Sequence, residues 1–524
     1  MSEDKSYLVL GWEVKQNQEP KYWRNNSNPK AGDQQESDLV RVPADAIASH
    51  TAIIAQSGSG KSFFLGRLIE EIVLRTNSRC VILDPNADFR RIREIEDEDL
   101  WKNAAYDPPN NRFKLPHEAS RKDFETLWNQ VSIRVRTGGV PERHPGHEQF
   151  RFWWPSLSVE FLAEELDPML RSELYHCHTF VQAVALLTKL KFLIDKDDSL
   201  DLIDIAEELL AKAAPDRNGP IDRASIKFVL EEKFEIEELR QNLCKDTALL
   251  SKALDFLDVE KLPPGAPKTH LQNVLNGIID VSVANALKTV RYTSADVTQY
   301  YFGKAREYQQ KGLLQTLAEA QKSIQSVVNR IEVIDLPSLP EKSARLVAIN
   351  TVLTAEWERA RKDWTLALKK DKKGDDRVPT FIIVDEAHNL IPQDPLSDAE
   401  VALREQFRTL VAEGRKYGLF LILVSQRPDK LDSLVVSECE NHAILKLGSP
   451  SILTRTREML GLEDVPKPQL ERCLKFKKGR GLLIGRWSPE LKVLYCAARR
   501  TIEGGRDLND KHWAKAPSLP APKS

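Results

Sequence analysis

The sequence predicts an α/β chain with a mainly parallel central sheet, interrupted by a large helical insertion. Three observations carry this. Short apolar runs at 53–55, 80–83 and 381–384 each stop abruptly at a loop bearing glycine or acidic residues, the texture of strands buried on both faces. Amphipathic stretches lie between such runs, so strand and helix alternate. From 156 to 329 strand texture is scarce, and apolar residues step by three and four, as at Phe180, Val184, Leu187 and Leu190.

Residues 1–48 read as a short β and loop segment, with strands at 7–14 and 39–42. The polar stretch 15–38 between them reads as a surface loop or unstructured chain. A first core portion spans 49–155. Its opening stretch, TAIIAQSGSGKSFF at 51–64, reads as a strand, a phosphate-sized loop and a helix start. In such a loop, backbone N–H groups and the positive helix end converge on the β- and γ-phosphates of a nucleotide. Candidate contacts are Gln56, Ser57, Gly58, Ser59, Gly60, Lys61, Ser62 and Phe63, with the Lys61 ammonium on phosphate oxygens and the Ser62 hydroxyl on Mg²⁺. Ala55 stands where the G-x-x-x-x-G-K-[ST] pattern has its first glycine.

Phe64, Leu65, Leu68, Ile69 and Ile72 continue the helix, and 80–83 is the next parallel strand, closing a βαβ unit. Asp84, before Pro85, either orders the site or forms the turn. Val131, Ile133 and Val135 alternate with polar residues, as in a half-exposed strand at a sheet edge.

The helical insertion, 156–329, separates this portion from a second one at 330–505. Strand texture resumes at 331–336. A long helix follows, with Leu346, Ile349, Leu353, Trp357, Ala360 and Trp364 on one side, then a charged connection at 369–376. TFIIVDEAHNL places two carboxylates at the C-terminal end of a central strand, where open α/β sheets hold their ligands. Asp385 supports Mg²⁺ through water, and Glu386 polarises the water that attacks the γ-phosphate. Ser397 and Glu400 form a capping-box pattern for a helix that the glycines at 414 and 418 stop. The next strand, 419–425, carries Gln426 at its tip as a γ-phosphate sensor. Strands at 442–447, 482–484 and 492–495 complete the pattern, before a Pro-rich tail at 506–524.

Charged residues make up 29% of 524, yet the formal net charge is −2, so contact with nucleic acid would need a local patch. The six scattered cysteines form no C-x-x-C, which argues against a disulfide frame or a zinc ribbon. The N-terminus has no secretory pattern, and the apolar runs are too short to span a bilayer. A cytoplasmic protein with no membrane partner is therefore expected. His176-Cys177-His178 reads as a core cysteine between two ordinary histidines, because i, i+2 spacing on a helix parts the imidazoles. His388 either couples nucleotide state to a neighbouring loop or packs. Arg134, Arg136, Arg143 and Arg151, with Phe150, Phe152, Trp153 and Trp154, have the cation and aromatic mixture of nucleic-acid grooves, though packing explains the aromatics equally well.

Six stretches in order, AQSGSGKS, VILDPNADF, FIIVDEAHNL, AEGRKYG, LILVSQRPDKL and RTIEGG, resemble the HerA/FtsK group of P-loop ATPases, on the HerA side. The resemblance covers 49–150 and 330–505 and leaves the helical insertion outside. The N-terminal part is short for the β-barrel of HerA proteins. The resemblance implies a RecA-like P-loop NTPase core and a homo-hexameric ring that hydrolyses ATP with Mg²⁺ at subunit interfaces. It also implies translocation of double-stranded DNA, with a nuclease or other effector as partner, in DNA processing or antiviral defence. By motif position it gives Lys61 and Ser62 to phosphate and Mg²⁺, Asp385 to the metal, Glu386 to catalysis and Gln426 to sensing. Arg415 falls where the group has an arginine reaching a neighbour's nucleotide, and Arg427 is a second candidate. A regulatory scaffold that binds ATP to control an effector is the competing reading. A conjugation-type DNA pump at a membrane is a third.

Overall fold

The computed structural model describes residues 7–14, 39–97, 121–139, 146–163, 166–196, 201–213, 223–257, 259, 266–289, 293–323, 328–339, 341–369 and 375–504. The expectations for 15–38 and the tail, most of the charged connection, and Arg143 fall outside them.

Twelve strands form one sheet: β1 Tyr7–Glu13, β2 Leu39–Pro43, β3 Thr51–Ile54, β4 Arg79–Asp84, β5 Ile133–Thr137, β6 His147–Gln149, β7 Ile331–Asp335, β8 Thr380–Val384, β9 Leu419–Ser425, β10 Asn441–Ile444, β11 Arg480–Gly485 and β12 Ser488–Cys496. Their order is β2-β1-β12-β11-β10-β3-β9-β8-β4-β7-β5-β6. From β10 to β6 every neighbouring pair is parallel, and from β10 to β2 every pair is antiparallel. The βαβ unit from β3 to β4 is a wide one. β9 and β8 lie between its two strands, so the apolar run at 381–384 is buried beside the run at 80–83.

Period-2 alternation divides each strand between two cores. Ile53, Cys80 and Ile82 face the helix Lys61–Arg75, whereas Ile54, Val81 and Leu83 face the opposite core, shared with the helices of 156–329 and with Lys342–Lys369 and Asp398–Tyr417. The sheet is thus covered on both faces, as parallel strands require.

β1 and β2 are the antiparallel end of this sheet, joined to it through β12. The β1 backbone is tied to the helix Lys61–Arg75: the Val9 N–H donates to Glu71 Oε2 at 2.8 Å, and Arg67 donates to the Val9 carbonyl. Gly11 is obligatory, because a Cβ there would lie 1.9 Å from the Tyr495 carbonyl oxygen.

Among the described residues, the named elements between Trp154 and Ser323 are all helical, from Val159–Leu162 to Leu317–Ser323. The central helix Arg171–Asp195 buries Leu174, Cys177, Phe180, Val184, Leu187 and Leu190. By length and mean hydropathy, 168–195 is the one described stretch able to cross a bilayer, contrary to the expectation that every apolar run is too short, and it packs within the helical core. Cys177 and His178 are buried on the same helix. Trp154 Nε1 donates to the Tyr301 hydroxyl at 2.8 Å, and His178 Nδ1 lies 2.7 Å from that hydroxyl. Burial holds His178 down to about 4, so it is a neutral packing group.

Among the described residues, the arginine and aromatic grouping is engaged in packing and ion pairs. β5 lies one strand in from the edge and alternates buried with half-buried residues. Arg134 and Arg136 pair with Glu332 at 3.1 and 3.0 Å, Arg151 pairs with Glu319, and Phe150, Phe152 and Trp154 are core residues. Both ring faces and cations are therefore engaged within the chain.

In the helix Asp398–Tyr417, Ser397 caps as expected, but Glu400 closes the box on the Leu396 N–H at 2.6 Å. Gly418, at φ 83°, is the residue that stops it. Gly414 lies inside the helix, where a Cβ would sit 3.1 Å from the Leu419 carbonyl.

Candidate active site

β3, β9, β8 and β4 are consecutive in the sheet and parallel, so the segments following them emerge side by side at one edge. These are the phosphate loop, Gln426, the pair Asp385 and Glu386, and the turn at Asp84 to Phe89. This strand order is what assembles the site.

The loop at 55–60 rests on its neighbours. The Ala55 N–H donates to the Ser425 carbonyl at 3.1 Å and the Gln56 N–H to the Lys446 carbonyl at 2.8 Å. Ala55 is buried, continues the strand ladder and has no positive φ, so nothing at that position requires glycine. Gly58 and Gly60 do require it, at φ 72° and 97°. Gln56, Ser57 and Gly58 are exposed, Ser59 and Lys61 are buried, and Ser62 and Phe63 are half-buried. The Ser59 hydroxyl is buried without a hydrogen-bond partner, and the Gly479 N–H closes on the Ser59 carbonyl at 3.0 Å.

Lys61 Nζ lies 2.9 Å from Asp385 Oδ1 and donates to Glu386 Oε1. Gln426 Nε2 donates to the same Glu386 oxygen. Burial works against the Lys61 charge, yet Asp385 and Glu386 outweigh it and hold the ammonium above its ordinary value. Burial pushes the Asp385 carboxyl up, with Lys61 opposing. Glu386 sits at φ 44°, in the left-handed region, a conformation that costs a non-glycine residue about 1–2 kcal/mol. His388 Nδ1 lies 3.5 Å from the other Glu386 oxygen and 3.1 Å from Ser425 Oγ. His388 thus hydrogen-bonds the end of β9, and the Glu386 oxygen it faces is buried without a hydrogen-bond partner.

Sequence reasoning gave Asp88 and Glu503 no role. Ser62 Oγ donates to Asp88 Oδ2 at 2.6 Å, and Glu503 also hydrogen-bonds Ser62. Asp84 is the turn former: its carboxylate accepts the N–H groups of Asn86, Asp88 and Phe89 at 3.3, 3.1 and 2.8 Å. Burial raises it to about 7. The signal available was the pair of aspartates four apart just after a buried strand.

Arg415 does not join this group. Thr51, the first residue of β3, is level with Asn441 and Ile422, so Ser49 and Glu440 lie at the N-terminal edge of the strands. Arg415 is exposed and bonds Glu440 there at 2.7 Å, on the edge opposite the phosphate loop. Arg427 follows Gln426 at the site edge, with its side chain exposed and its N–H on Ser425 Oγ.

A buried lysine thus faces two carboxylates behind a glycine loop. The model for the family described as Helicase HerA, central domain, matches residues 32–355, more than half of the chain. The chain belongs to the HerA helicase family. The matched stretch runs through the helices of 156–329, which the six motifs left outside, and ends before β8. Similar curated HerA relatives are named DNA double-strand break repair helicase HerA. That of Pyrococcus furiosus is 29% identical over 175 residues, 30% of each chain, and that of Sulfurisphaera tokodaii 29% identical over 127 residues, 24% of this chain and 23% of the relative. The chain thus spans between 23% and 30% of the length of the curated HerA proteins it matches. Among solved structures, VirB4 of Thermoanaerobacter pseudethanolicus is similar over 95% of this chain and 98% of its own, at 14% identity and a TM-score of 0.42.

Proposed function

We propose that this chain is an ATP-hydrolysing motor of the HerA type, which assembles into a ring, a hexamer by family resemblance, and moves double-stranded DNA in the cytoplasm. The observation that carries the reading is the convergence of Lys61, Asp385, Glu386 and Gln426 at one sheet edge. The donor set suits Mg²⁺. Asp385 Oδ2 is buried without a hydrogen-bond partner, and it and the Ser62 hydroxyl are hard oxygen donors of the kind that cation takes. Ser62 would hold the ion directly and Asp385 through water. When bound, it neutralises charge on the phosphates.

The chain's own groups then divide the work. An arriving phosphate competes with both carboxylates for the Lys61 ammonium, which frees Glu386 to orient and polarise the attacking water. Gln426 keeps that carboxylate at the end of β9, with His388 beside it. Arg415, on the opposite edge, serves the nucleotide of a neighbouring subunit, which makes hydrolysis depend on assembly. DNA-stimulated ATP turnover that disappears in Lys61→Ala tests the reading, and unchanged turnover in that variant contradicts it.

A nuclease-like or other effector partner, in DNA processing or antiviral defence, belongs to the same reading. The large helical insertion favours a second one: a scaffold that binds ATP to control an effector without processive movement. Displacement of a roadblock on duplex DNA separates the two, because only the motor clears it.

A further inference from the structure

Ser62 is the residue on which the cation site turns, and its hydroxyl carries a single proton. A hydroxyl that ligates a cation offers a lone pair to the ion, so its proton must go to an acceptor placed on the far side. In this chain the Ser62 hydroxyl donates to Asp88 Oδ2 at 2.6 Å, with the Glu503 side chain as a second partner of the same hydroxyl. We infer that Asp88 is the positioning residue of the cation site, aiming the Ser62 oxygen at the metal. The inference rests on the nucleotide reading of the phosphate loop.

The surrounding structure is organised to deliver Asp88 there. Asp84 fixes the turn through three backbone N–H groups, and Ala87, directly before Asp88, is held at φ 60°, in the left-handed region that disfavours an alanine. A chain segment from the far end of the sequence then locks the pair. The Arg499 guanidinium donates to the Ser62 carbonyl at 3.5 Å and to the Asp88 carbonyl at 3.3 Å, and it lies over the Phe89 ring at 4.9 Å. The Gly504 N–H donates to the same Asp88 carbonyl at 3.0 Å. Two glycines make room for this. A Cβ at Gly66 would lie 2.3 Å from Arg499 Cδ, and one at Gly504 would lie 2.0 Å from the Ala87 carbonyl oxygen. A strained backbone, a buried arginine that also bonds Thr501 and Ile502, and two missing side chains all converge on the segment that carries Asp88.

The test is binding of a fluorescent ATP analogue to the full chain, titrated with Mg²⁺ and repeated in EDTA. In Asp88→Ala the Mg²⁺ concentration for half-maximal effect rises about tenfold or more, while affinity in EDTA stays within about twofold. Ser62→Ala behaves alike, and the double variant is no worse than either single one, because the two residues act as a unit. Asp88→Asn retains an acceptor oxygen and stays within about threefold of the wild type, and it reads the same step if the alanine variant does not fold. Wild-type Mg²⁺ dependence in Asp88→Ala, full additivity with Ser62→Ala, or a tenfold shift in Asp88→Asn overturns the inference. Loss of analogue binding in EDTA as well would place Asp88 in the loop's structure and overturn it too. A wild-type chain that binds no nucleotide under either condition overturns the phosphate-site reading itself.

Discussion

Lys61 Nζ and Asp385 Oδ1 lie 2.9 Å apart, one at the start of the helix after β3 and the other at the end of β8, with β9 between the two strands. The ammonium that should grip phosphate is thus held by carboxylates from a strand two places away. On the proposed reading, filling the site exchanges these partners for a nucleotide and releases the Glu386 side chain in the same event.

Arg415 should matter for turnover and not for stability. Its pairing with Glu440 is exposed, worth about 0–1 kcal/mol. Arg415→Ala is expected to melt like the wild type and bind nucleotide normally, yet to hydrolyse ATP about 10³-fold more slowly. Mixing it with Lys61→Ala should restore turnover, because an intact site then meets an intact arginine from its neighbour. No recovery on mixing would remove the trans role.

Glu332 should set part of the acid stability. It is buried on β7 among Arg79, Arg134 and Arg136 at 2.6, 3.1 and 3.0 Å. Burial raises its pKa, but the three arginines outweigh that and hold it at about 2, against an ordinary 4.5. The folded value is the lower one. Its contribution is therefore complete above pH 4.5 and lost as pH falls through about 2. Glu332→Gln removes the carboxylate the three arginines share, leaving Arg79 the carboxylate of Glu356 and Arg134 that of Glu148, at about 3–5 kcal/mol, and flattens stability against pH in that window. Urea unfolding between pH 2 and 7 reads both effects.

Tyr301 should hold the insertion to the sheet portion. Its hydroxyl meets Trp154 Nε1 and His178 Nδ1 in a fully buried contact. Tyr301→Phe strands both ring nitrogens and is expected to cost about 1–3 kcal/mol in denaturant unfolding, with ATP turnover per folded molecule unchanged.

Much of the site was legible because its signals are local. Gly58, Gly60, Lys61 and Ser62 are consecutive or nearly so, and an apolar strand ending in Asp385 and Glu386 announces its own burial. What sequence could not convey was adjacency. Nothing in TFIIVDEAHNL says that β9 will lie between β3 and β8, an order fixed by the whole sheet. Arg134 and Arg136 looked available for nucleic acid because their partner, Glu332, is 198 positions from Arg134. The spacing of Asp84 and Asp88 hinted at a turn, but not at the lock on Asp88, because Arg499 is 411 positions away. Ala55 looked like a defect in the loop until β9 was seen to accept its N–H.

The central claim is that Glu386 activates water for attack on a phosphate held at Lys61. ATP hydrolysis by Glu386→Gln, measured beside nucleotide binding by the same protein, tests it most directly. Binding within about twofold of wild type with hydrolysis reduced about 100-fold or more is the expected result. Hydrolysis at the wild-type rate would contradict it.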